Sequence, residues 1–121
     1  MNTEMTSPID TTDEKFLLQQ MVDTIVREVS PEAIILFGSR ARGDARADSD
    51  VDLLIVETEP FSPQRSRRKE AARLYIALKG FLNISKDILL YSRDEFEQWK
   101  NSTNHVIGRA IREGKVLHGR P

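Results

Sequence analysis

The sequence predicts an α/β domain, a small sheet with helices packed on it. Three observations carry that expectation. Short, nearly continuous apolar runs at 33–37, 50–56 and 87–91 have the length of buried strands. Segments 14–29 and 63–79 instead repeat apolar residues at helical spacing. The two patterns alternate along the chain, an order that layers helices on a sheet.

Taken in order, residues 1–10 are polar and are expected to form a flexible N-terminal tail, which leaves 11–121 as one domain. Thr11 with Glu14 three residues on reads as a capping box, and Leu18, Met21, Val22, Ile25, Val26 and Val29 mark the buried stripe of a helix that stops before Pro31. Ala33 to Phe37 reads as an interior strand ended by Gly38. Residues 39–47 are too few and too charged for a full amphipathic helix, so a helical turn and a loop are expected. A second strand follows at 50–56. Ser62-Pro63 reads as a helix start, with serine as cap and proline in the first turn. That helix runs to about Lys79, buries Ala71, Leu74, Tyr75 and Leu78, and ends at Gly80. The third strand is 87–91. Ser92 and Glu95 form another capping box, opening a short helix with Phe96 and Trp99. A last helix spans 103–113, ended by Gly114, and Val116 and Leu117 add a short terminal strand.

Composition narrows the function classes. The 121 residues are 39% hydrophobic, enough for a modest core. Eighteen Lys and Arg against nineteen Asp and Glu give a formal net charge of -1, so no overall basic character argues for nucleic acid. Arg65, Arg67, Arg68, Lys69 and Arg73 do crowd one segment, opposed by Glu70. They read either as a contact for RNA or another anionic partner, or as a solvated helix face. Without interleaved aromatic residues to stack bases, direct nucleic-acid binding stays open. The chain has no cysteine, which excludes disulfides and thiolate metal sites, and only two histidines, which argues against zinc. With neither an apolar signal core nor a membrane-length segment, the expectation is a cytoplasmic protein without a membrane partner.

Asp50 and Asp52 are the unusual residues. On a strand, residues two apart share a face, with Cα atoms roughly 6.6 Å apart. Val51, Leu53 and Ile55 then take the opposite face, while Leu54 and Val56 continue the acidic one. Two unpaired carboxylates at such a half-buried place repel each other, and a divalent cation turns that repulsion into binding. Hard oxygen ligands and the lack of cysteine point to magnesium, with manganese as the alternative. Asp87 opens the third strand. If that strand neighbours the second, three carboxylates meet at one sheet edge and can hold two ions roughly 4 Å apart for phosphoryl transfer.

Gly38 and Ser39 supply the other half. Glycine between a strand and a helical turn allows a sharp bend and close approach of a ligand. Ser39 is placed to cap the turn, whose amides favour an anion. Arg40, Arg42 and Arg46 lie beside it, and Arg40, in the first turn, is the expected phosphate contact. Phosphate on one side and metal-binding acids on the other suit a nucleoside triphosphate. The stretch has neither the Gly-Lys-Ser/Thr ending of an ATP-hydrolase phosphate loop nor a dinucleotide fingerprint.

The run Gly38-Ser39-Arg40-Ala41-Arg42-Gly43, followed by Ser49-Asp50-Val51-Asp52-Leu53-Leu54, closely resembles the signature of the DNA polymerase beta-like nucleotidyltransferase superfamily, and more narrowly its minimal nucleotidyltransferase branch. The tail, Asp94-Glu95-Phe96 and then Ile111-Arg112-Glu113-Gly114-Lys115-Val116-Leu117, is similar to that of these small proteins. The resemblance implies the polymerase beta-like fold, with Gly38 and Ser39 holding a triphosphate and Asp50, Asp52 and Asp87 binding two magnesium ions. It further implies ATP as donor and a small all-helical partner, a HEPN-type RNase toxin, joined in a hetero-oligomer. In the characterised type of pair, the nucleotidyltransferase is the antitoxin and transfers AMP to a tyrosine of the toxin. Two other readings stand beside it: transfer to a small molecule or nucleic acid, and a non-catalytic antitoxin that neutralises by contact.

Overall fold

A computed structural model describes residues 11–46, 48–81 and 84–121. The tail expected at 1–10 lies outside the described residues. Helix α1 (Thr11–Val29) leads into strand β1 (Ala33–Phe37) and the single-turn helix α2 (Ser39–Arg42). Strand β2 (Val51–Glu57), helix α3 (Arg67–Ala77), a 3-10 turn (Lys79–Phe81) and strand β3 (Lys86–Ser92) follow. Helices α4 (Arg93–Trp99) and α5 (Val106–Glu113) precede strand β4 (Lys115–Gly119).

The four strands form one mixed sheet in the order β3-β2-β1-β4. β1 is antiparallel to β2 and β4, whereas β2 and β3 run parallel, joined by α3. Apolar cover lies on both faces, as the continuous hydrophobic runs require. On one face Val51, Leu53 and Ile55 of β2 pack with Met21, Val22 and Ile25 of α1 and Leu74 of α3. On the other, Leu54 and Val56 pack with Phe96 of α4 and Ile107 and Ala110 of α5. The period-2 division expected along β2 is therefore realised, with helices on each side. No helix among the described residues is long and apolar enough to cross a membrane.

Several local expectations are corrected. Ser62-Pro63 does not begin α3. The backbones of Ser62 and Arg65 exchange hydrogen bonds at 3.1 and 3.0 Å in a closed turn, for which serine followed by proline is equally suited. Arg65 turns back to Glu57 at 2.7 Å, and Ser66 becomes the helix cap, accepting from the Lys69 amide. Tyr75 is not buried with Leu74 and Leu78. It is 40% exposed, and its hydroxyl accepts the Ile88 amide on the outer edge of β3 at 2.9 Å. α5 starts three residues later than expected, at Val106, because 102–105 forms a turn in which the Ser102 hydroxyl accepts from the His105 amide. His105 is the cap, its Nδ1 accepting from the Ile107 amide at 3.1 Å while its ring stacks on Trp99. The backbone of Thr11 is already helical, and the capping box expected at Thr11 and Glu14 lies outside the described residues. The Ser92–Glu95 capping box is present with both reciprocal bonds.

The basic run is largely neutralised from within. Arg65 pairs with Glu57, Arg67 with Glu95, and Arg73 with Glu28. Phe61 lies against the guanidinium groups of both Arg65 and Arg67.

Candidate active site

The parallel register of β2 and β3 sets Asp52 directly beside Asp87. Alternation puts both on the face shared with Leu54 and Leu89, beyond the end of the apolar cover. The pairing of Val51 with Lys86, and the Val51 amide donating to the Ser85 carbonyl at 2.8 Å, lock that register where the acids need it. Asp50 stands one residue ahead of β2 and is exposed, Asp52 is half-buried, and Asp87 is exposed.

The Asp52 carboxyl is pushed above the usual carboxylate range, first by burial, then by the negative charges of Asp87 and Asp50, against a smaller opposing pull from Arg42 and Arg40. Asp50 and Asp87 thus both act on Asp52. Among the described residues no three carboxylates or imidazoles are gathered into a ready cage for a metal ion. The donor chemistry nevertheless fits magnesium or manganese: hard oxygens, two of them on exposed side chains with room to turn, around a carboxylate whose charge is under-compensated.

Gly38 follows β1, whose last residue, Phe37, pairs with Asp52. Its backbone sits at φ 74° and ψ -158°, a region open essentially to glycine alone. A Cβ built there would lie 2.2 Å from Asp52 Oδ2, so the turn presses directly on the acid. Gly38 occupies the cap position of α2 without a side-chain cap, and its carbonyl accepts from the Ala41 and Arg42 amides, both at 3.1 Å. Ser39 is therefore the first helical residue rather than the cap, and its hydroxyl is not used in closing the turn.

The arginines divide their work in a way the sequence did not disclose. Arg40 turns inward: Nε and Nη2 donate to the Ser49 carbonyl at 3.1 and 2.7 Å, and Nη1 donates to Glu14 at 2.8 Å. Arg42 stays more open on the rim, bonded to Asp44 and, across the fold, to Glu113 at the end of α5 at 3.2 Å. Glu113 is a neighbour of the site that sequence reasoning passed over, since only the docking of α5 brings it there. A surface groove of about 440 Å³ between α1 and α3, lined by residues such as Glu28, Lys69 and Ile76, includes none of these groups.

Comparison with known proteins agrees with this arrangement. The sequence profile of the family described as "Nucleotidyltransferase domain" matches residues 18–116. No curated protein matches the sequence significantly. Among solved structures, one assigned as a minimal nucleotidyltransferase is 28% identical, with 84% of this chain and 92% of that chain covered and a TM-score of 0.54. A nucleotidyltransferase-assigned protein from Sulfolobus solfataricus is 21% identical over 96% of this chain and 93% of that one, with a TM-score of 0.56. A toxin-antitoxin structure with AMP-PNP is 22% identical over 84% and 73%, with a TM-score of 0.53. The last two share the fold. With the profile covering most of the chain and the paired acids in place, the protein belongs to the nucleotidyltransferase domain family.

Proposed function

We propose that the protein is an antitoxin that transfers AMP from ATP to a tyrosine hydroxyl of an all-helical HEPN-type toxin, with which it assembles. The observation that carries the transfer is the side-by-side placement of Asp52 and Asp87 under the Gly38 turn. The likeness to a toxin-antitoxin structure holding AMP-PNP supports the choice of donor and partner.

In this reading the Gly38–Ser39 turn receives the triphosphate, because the first amides of a helix point outward without partners of their own. Asp50, Asp52 and Asp87 would hold magnesium, which supplies neutralisation of the triphosphate charge and a lowered pKa at the acceptor hydroxyl. Asp87 is exposed and faces the space in front of Asp52, so it takes the proton of the incoming hydroxyl. The tyrosine oxygen then forms a bond to the α-phosphorus, the bond from that phosphorus to the bridging oxygen breaks, and pyrophosphate leaves.

The test is incubation of the purified protein with its partner, ATP and magnesium, followed by intact-mass measurement. A gain of one or more AMP units on the partner is expected, and D50N/D52N should abolish it with the fold intact. A tight complex without mass gain would replace catalysis by neutralisation through contact. Label found only on a small molecule or RNA would move the acceptor there.

A further inference from the structure

We propose that Arg40 is a positioning residue that fixes the strand entry carrying Asp50 and Asp52 against the Gly38 turn, and that it does not bind the nucleotide. The proposal rests on the nucleotidyl-transfer reading for its consequence in turnover, but its geometry stands independently.

The Arg40 side chain is only 12% exposed. Two of its N–H groups converge on one acceptor, the Ser49 carbonyl, and a third reaches Glu14 on α1. The Ser49 carbonyl belongs to the peptide that leads into Asp50. Beyond Asp50, the Val51 amide is fixed to Ser85. The acidic strand entry is therefore held from the turn side by a guanidinium and from the β3 side by the sheet. Ser49 is further set by a tight turn, its amide donating to the Arg46 carbonyl at 3.0 Å and its hydroxyl accepting from the Arg46 amide at 2.8 Å.

A phosphate contact by Arg40 would compete with the two-pronged grip on Ser49 and the pairing with Glu14, which fix its guanidinium where it lies. Both are charge-assisted and partly buried, the kind of bond whose loss leaves an exposed cost. Arg42, with a side chain 46% exposed, faces solvent instead. The fork of a guanidinium also matters here, because a lysine at position 40 keeps the charge but cannot place two rigid donors on one carbonyl.

The experiment compares R40K, R40M and E14A with wild type in the full chain. It measures kcat and the ATP KM for AMP transfer, Mn2+ affinity by electron paramagnetic resonance, amide exchange across 49–52, and thermal unfolding as a folding control. Expected are a fall in kcat on the order of a hundredfold in R40M and R40K with the ATP KM little changed, and Mn2+ binding weaker by roughly tenfold. Amide exchange at 49–52 should be faster, and E14A should shift the same readouts by less. A raised ATP KM with kcat intact, or a near-wild-type R40K, would overturn the proposal, since charge alone would then suffice. If R40M does not fold, R40K and E14A decide the matter. If wild type transfers no AMP to any acceptor, the functional reading fails by itself. Mn2+ affinity and amide exchange, which need no turnover, then decide the role of Arg40: unchanged values in the variants would end it.

Discussion

Gly38 concentrates the demands of the site in one residue. Its φ and ψ are costly for any side chain, and the atom an alanine would add meets the Asp52 carboxylate. G38A should lower stability by about 1–3 kcal/mol in chemical denaturation. It should also cut AMP transfer by on the order of a hundredfold, because Asp52 must swing aside. A variant that kept full transfer would show that the close approach is dispensable. At this scale the adjacency of Asp52 and Asp87 was legible from the sequence, since the apolar runs place each near the opening of a strand, whereas Asp50, expected to open β2, stands one residue ahead of it. The inward turn of Arg40 was not, because Glu14 and the Ser49 carbonyl become its neighbours only through tertiary folding.

The elements divide along the same line. Ser92 is buried and caps α4 through purely local bonds, with its hydroxyl accepting from the Glu95 amide and the Glu95 carboxylate accepting from the Ser92 amide. S92A should therefore cost about 1 kcal/mol or somewhat more, read as a lower urea midpoint with an unchanged slope. Such a box can be read in any sequence, since everything it needs lies within four residues. The start of α3 could not be read this way. Ser62 and Ser66 are both acceptable caps, and the choice is made by the Arg65–Glu57 pair and by Arg67 bonding to Glu95 and to the Leu90 carbonyl. The same helix closes the outer edge of β3, where Tyr75 takes up the Ile88 amide. The edge strand that bears Asp87 thus has its Ile88 amide occupied, which makes it a poorer template for pairing with other chains.

For the whole molecule, the sensitive titration lies at the other end of β2. Glu57 is 3% exposed. Its carboxyl is pushed up to about 7, chiefly by burial and then by the adjoining Glu70 carboxyl, against the pull of Arg65. Glu57 Oε2 is buried without a donor, so the carboxyl gains by holding a proton. The unfolded chain releases that proton near the ordinary value of 4.5, whereas the folded chain keeps it to about 7. Between these limits the native state binds more protons, so stability falls as pH rises and levels off above about 7. Thermal unfolding followed from pH 5 to 8 should show this decline in wild type and a flatter profile in E57Q; equal slopes would refute the assignment. The mixed sheet has a further consequence, in time rather than space. β1 and β2 pair across a short connection, but Asp52 meets Asp87 only after α3 has crossed over and β3 has docked in parallel, a long-range step that forms slowly. During synthesis, which delivers the N-terminal half first, a nascent chain carries Asp50 and Asp52 well before it carries Asp87. The acidic cluster is thus a late event of biogenesis, and a chain cut short before Lys86 displays two of its three acids.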